Sequence, residues 1–158
     1  MPDMEQDEAR RRFAEAPVAR LATVDPAGRP HLVPVVFAVR GDEIVTAVDR
    51  KPKRSGQLRR LHNIAVHPAV CVLADMYDDD WDRLWWVRAD GGAHVLPADM
   101  PDMPDASDAR DEYAAAIELL RQKYPQYVRQ PPDGPVIAIT VQRWRGWQAE
   151  PSAGRTGG

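Results

Sequence analysis

VARLATVDPAGRPHLVPVVFAV, residues 18–39, decides how the rest of the chain is read. Two runs rich in β-formers flank Asp25-Pro26-Ala27-Gly28, a composition that favours a tight turn because proline presets one backbone angle and glycine tolerates a positive one. The reading is an antiparallel hairpin. Pro34 falls inside the second run, where it has no N–H to give a ladder, so that strand is expected to be an edge, to carry a bulge or to bend.

Outward from the hairpin, residues 5–16 are good helix formers that stop at Pro17. RGDE (40–43) turns the chain into IVTAV (44–48), a third strand. GQLRRLHNIAVHP (56–68) places Leu58, Leu61 and Ala65 on one helical face and ends at Pro68. AVCVLADMY (69–77) and LWWVRA (84–89) read as two strands joined by the acidic turn DDDWD (78–82), and Asp90–Gly92 reads as a turn into AHVL (93–96). Residues 97–107 are Pro-rich, acidic loop. Ser107 is a candidate N-cap for the helix DARDEYAAAIELLRQKY (108–124), residues 125–135 are loop, and VIAITVQRW (136–144) is the last strand. About six short strands and three helices result, with strands following one another through turns. That order excludes a doubly wound α/β fold and predicts a mainly β protein, a small antiparallel barrel with helices packed outside.

The 158 residues amount to one domain, assigned to 1–150, with 151–158 expected as a flexible tail. No apolar run approaches the ~20 residues that span a bilayer, and the N-terminus lacks the basic-then-apolar order of a secretory signal, so the expected location is cytoplasmic. A net charge of −3 argues against a general nucleic-acid binder. Cys71, the single cysteine, sits in an apolar strand-like run and is read as a core residue rather than a nucleophile.

Against this acidic background, residues 46–61 carry six basic residues and one Asp. Lys51, Lys53 and Arg54 directly follow a strand and precede a helix whose first amides are unpaired, an arrangement suited to a phosphate. The alternative is a solvated loop with a basic helix face formed by Arg59 and Arg60. Trp85 and Trp86, adjacent on a strand, must point to opposite faces, so one of them meets a ligand, a partner or a subunit. Trp144 and Trp147 form a second pair, with ordinary packing as the alternative. The four histidines lack metal-ligand spacing, and no metal site is expected. No nucleophile elbow, Walker loop or dinucleotide fingerprint is present.

Three stretches in order, ARLATVDPAGRPHLVPVVF, DRKPKRSGQLRRLHNIAVHPAVCVLAD and DWDRLWWVRADGGAHV, make the chain resemble the pyridoxamine 5'-phosphate oxidase-like split-barrel family over about residues 13–148. The A-x-L-A-T-x-x-x-x-G-x-P hairpin from Ala19 to Pro30 is shared across that superfamily. Lys51-Pro52-Lys53 and Leu84–Arg88 are similar to its coenzyme F-420-dependent oxidoreductases. The resemblance implies a six-stranded split β-barrel of the FMN-binding type that is homodimeric, with two cofactor sites at the subunit interface. It also implies that Lys51, Lys53 and Arg54 hold the cofactor phosphate and that Thr46 and Ala47 lie along the ring. Trp86 and Arg88 would come from the other subunit, and Trp144 and Trp147 would close the site. The implied activity is hydride transfer between coenzyme F-420 and a small conjugated substrate, with His31, Tyr77 or solvent as proton donor. FMN is the alternative cofactor, and a non-catalytic cofactor carrier the alternative role.

Overall fold

The structure, a computed structural model, describes residues 3–48, 55–99 and 106–150, with side chains from Arg59 onward in the helix that opens at Ser55. The elements are α1 (Gln6–Glu15), β1 (Ala19–Val24), β2 (Pro30–Val35), β3 (Ala38–Arg40), β4 (Glu43–Ala47), α2 (Ser55–Val66), β5 (Ala69–Met76), β6 (Trp85–Leu96), α3 (Ser107–Lys123), α4 (Pro125–Arg129) and β7 (Val136–Gln148). The described strands form one antiparallel sheet in the order β2-β1-β5-β6-β7-β4-β3. The last strand of the chain is therefore an inner strand.

The hairpin forms as read. Gly28 takes φ +84°, and the Ala27 and Arg29 amides donate to the Asp25 carboxylate at 2.9 and 2.8 Å, which holds that carboxyl below its usual range. Pro30 and Pro34 are accommodated because β2 is an edge.

Seven strands replace the expected six because the run after the turn breaks at Val36–Phe37. Side chains take up the backbone groups that leave the ladder there: the Thr46 hydroxyl donates to the Val36 carbonyl at 2.7 Å, and the Phe37 N–H donates to the Tyr124 hydroxyl at 3.0 Å. That same hydroxyl lies within reach of the Phe37 and Pro17 carbonyls, at 2.9 and 3.0 Å.

Other expectations shift. Asp90–Gly92 is not a turn; β6 runs straight through it with a bulge between Asp90 and Gly91. Gly91 is needed there, since a Cβ would run into the Thr140 carbonyl on β7. Ser107 opens α3 as its first residue, and the cap position falls on Ala106 with no side-chain bond. The expected loop after 124 contains the short α4. On α2, Ala65 is exposed while Ile64 and Asn63 are buried; Asn63 is tolerated inside because its Nδ2 donates to the Thr23 hydroxyl at 3.1 Å.

One face of the sheet is closed by α1, whose Ala9 and Phe13 have no solvent exposure and pack with Leu21, Phe37, Ile44, Val72, Val87, Ile137 and Trp144. On the other face, α3 and α4 cover β3, β4, the first half of β7 and the end of β6, where Val45, Leu96, Val136, Ala138, Ala116 and Leu120 pack together. β1, β5, the rest of β6 and the second half of β7 are left without a helix on that face. The alternation along β5, with Val70, Val72 and Ala74 buried and Cys71 and Leu73 half-buried, follows from it.

Lys123 ties α3 to the end of α1. Its Nζ donates to the Ala16 carbonyl at 2.7 Å and sits 3.7 Å from the Phe37 ring centroid. Burial lowers its pKa from 10.5 to about 8, with the carbonyl and the ring offsetting part of the desolvation. Between those two values the unfolded chain holds a proton that the native protein has released, so stability is expected to rise with pH over that window. Because the site is half-exposed, the expected gain is on the order of 1 kcal/mol. Urea midpoints of the native protein and Lys123→Met between pH 7.5 and 10 check it; parallel curves would refute the assignment.

Candidate ligand site on the open sheet face

Strand pairing fixes which side chains share the uncovered face. Leu32, Ala22, Cys71, Asp90 and Arg143 form one rung across β2-β1-β5-β6-β7, and Pro34, Arg20, Leu73, Arg88 and Arg145 form the next. Asp75, Trp86 and Trp147 form a third. The surface they make is mixed: Leu32 is 66% exposed and Tyr77 61%, beside alternating guanidinium and carboxylate groups.

Two ion pairs order it. The Arg88 guanidinium meets both oxygens of Asp90, at 3.0 and 3.4 Å, and Arg20 meets Asp75 at 3.4 Å. The Arg88 guanidinium also lies 6.0 Å from the Trp86 ring centroid. A cavity of about 500 Å³ runs over Leu32, Cys71, Leu73, Trp86 and Arg88, and one of about 360 Å³ over Trp86, Arg88, Arg145 and Trp147. Tyr77 lines both.

Trp86 and Arg88 therefore bring an aromatic face and a guanidinium to the walls of these cavities, groups whose chemistry is stacking and charge-assisted hydrogen bonding. Trp85, on the opposite face, packs against the core as its neighbour's mirror position requires, with Arg12 over its ring. The sequence reading did not single out Arg145, which has no ion-pair partner among the described residues; period-two alternation becomes informative for it only once the register against Arg88 is known.

The other expected residues are placed differently. Thr46 is buried, its hydroxyl engaged by Val36. Ala47 lines a separate cavity of about 320 Å³ shared with α4 and residues 130–133. Lys51, Lys53 and Arg54 lie outside the described residues. Arg60, at their C-terminal side on α2, is half-buried, with Nε in contact with no partner among the described residues and its pKa pulled below the usual guanidinium value by desolvation. Trp144 is 5% exposed, donates to Asp42 at 2.9 Å and meets Phe13 edge-on; it is core and not a wall of the site. Trp147 is the member of that pair on the open face.

His31 pairs with Thr23 on the inner side of the hairpin, its Nδ1 buried away from the cavities, whereas Tyr77 faces them. Cys71, expected in the core, borders the 500 Å³ cavity, and burial raises its thiol pKa. Its odd position in β5 sets that outcome, opposite to Val70 and Val72.

The seven-stranded antiparallel sheet with its flanking helices is a fold of the split-barrel class. The sequence profile of the pyridoxamine 5'-phosphate oxidase family matches residues 5–148, and the chain belongs to that family. No curated protein matches the chain. Among solved structures, a conserved hypothetical protein of Mycobacterium tuberculosis is similar at TM-score 0.66 and 21% identity, over 92% of this chain and 85% of that one. An FAD-binding protein of Mesorhizobium loti gives 0.63 and 17%, over 92% and 95%, and the heme storage protein HutZ of Vibrio cholerae gives 0.59 and 15%, over 90% of each chain. At these identities the likeness is one of fold. Among the described residues no helix is long and apolar enough to cross a membrane.

Proposed function

We propose that the protein is an oxidoreductase that holds a tricyclic flavin-type cofactor between two copies of the chain, with coenzyme F-420 as the cofactor and a small conjugated compound as substrate. The observation that carries the reading is a separation. Thr46 is paired with Ile137 and Trp86 with Trp147, ten residues further along β7, which is roughly 30 Å of strand. Ala47 and Trp86 accordingly line different cavities. A fused ring is far too short to touch both, so a site using the β4 end and the β6 face needs the β6 face of a second copy. The mixed open face suits that role, because it presents both guanidinium and carboxylate groups, which can pair with their opposites across a two-fold axis.

The chemistry that a reduced deazaflavin would supply there is a hydride for the substrate. The chain's own work is to bind and orient. Lys51, Lys53 and Arg54 neutralise the phosphate, Trp86 and Trp147 exclude water beside the ring, and the Tyr77 hydroxyl holds a proton at the cavity edge. FMN or FAD is the second reading, favoured by the FAD-binding protein of Mesorhizobium loti.

Parallel titrations with coenzyme F-420, FMN and FAD, run with sedimentation equilibrium, test both parts. The expected result is tightest binding of F-420 by a species of twice the 17.7 kDa chain. Lys53→Ala is expected to weaken that binding by about 1–3 kcal/mol. A 17.7 kDa species that binds as tightly as the native protein, or Lys53→Ala with unchanged affinity, would overturn the shared phosphate site.

A further inference from the structure

A cavity of about 870 Å³ lies at the end of the sheet beneath the last turn of α1, bounded by the start of β6 and the end of β7. Its size falls within the ~300–1,000 Å³ of small-molecule sites. Its charges divide into spent and free. Arg20 is paired with Asp75 at 3.4 Å and Arg83 with Asp78 at 4.0 Å. Arg12, Glu15 and Asp82 have no ion-pair partner among the described residues. Arg12 is nonetheless held in place, its guanidinium 5.4 Å from the Trp85 ring centroid, which leaves its N–H edge available for a carboxylate. Val18, Leu84 and Trp85 supply apolar wall between these charges.

One free guanidinium, two free carboxylates and an apolar wall are complementary to a zwitterion with a hydrophobic body. A simple anion would meet two uncompensated carboxylates, and a simple cation would leave Arg12 unused. We infer that this cavity binds a short hydrophobic peptide, its C-terminal carboxylate on Arg12 and its ammonium on Glu15 and Asp82. The inference does not depend on the cofactor reading, although the Arg20–Asp75 pair and Tyr77 border both cavities.

The test is isothermal titration of the full chain with the dipeptide leucyl-phenylalanine, its C-terminal amide and its N-acetyl form, which share one body and differ in charge. Each cap is expected to weaken binding about tenfold, the scale of one charge-assisted hydrogen bond. In Arg12→Gln the free and amidated peptides are expected to bind equally. In Glu15→Gln/Asp82→Asn the free and acetylated peptides are expected to bind equally. No binding of the free dipeptide, or three equal affinities in the native protein, overturns the inference without recourse to any variant. Unchanged discrimination in Arg12→Gln that melts at the native temperature also overturns it.

Discussion

Phe13→Ala is expected to lose about 3–5 kcal/mol of folding stability. The ring has no solvent exposure and meets Phe37 at a centroid distance of 4.7 Å and Trp144 at 5.3 Å, so its removal leaves a cavity between α1, the β2–β3 junction and β7. None of these partners can follow it. Trp144 is fixed by its bond to Asp42, and the Phe37 backbone is held by Tyr124. Urea unfolding should show the midpoint falling with an unchanged slope. Trp81→Ala, at a side chain 75% exposed, should stay within about 0.5 kcal/mol of the native protein. A loss below about 1 kcal/mol in Phe13→Ala would mean that α1 does not close the core.

The second large effect comes from a pair of adjacent glycines. Gly91→Ala is expected to cost about 3 kcal/mol or more, because the new methyl group would meet the Thr140 carbonyl oxygen, with the Thr140 carbon at 3.0 Å and Val141 Cα at 3.1 Å. These are backbone atoms of the neighbouring strand, so relief requires β6 and β7 to part at the bulge. Gly92→Ala meets nothing within 4 Å. That substitution is expected to be neutral or to stabilise by about 0.4–1 kcal/mol through the unfolded chain. Thermal melts of the two variants should therefore differ in sign or nearly so. Similar losses in both would remove the close strand approach as the cause.

The hairpin and the division of labour between Trp85 and Trp86 were legible because local rules decide them: turn chemistry at Asp25–Gly28, and the two-residue period of a strand. The bulge at Gly91 was misread as a turn because Asp-Gly-Gly satisfies both, and only the position of Thr140 chooses between them. Asn63 was invisible to hydrophobic periodicity, since its burial depends on a hydroxyl forty residues away. For the site, Trp86 and Arg88 line an open cavity, while Arg145 and Cys71 could be recognised only from the register that brings β5, β6 and β7 together. The resemblance supplied the family, which the profile match bears out; the choice of cofactor rests on side chains that strand pairing does not order.

The place of β7 has a consequence for how the chain is made. β3 and β4 join the sheet only through β7, whose residues are the last of the fold to leave the ribosome. Residues 38–47 must wait, with one ladder edge unmatched, until nearly a hundred more have been polymerised. During synthesis this segment presents an unpaired edge that could template pairing with another nascent chain, so folding yield is expected to be sensitive to the concentration of nascent chains as well as to the final stability of the sheet.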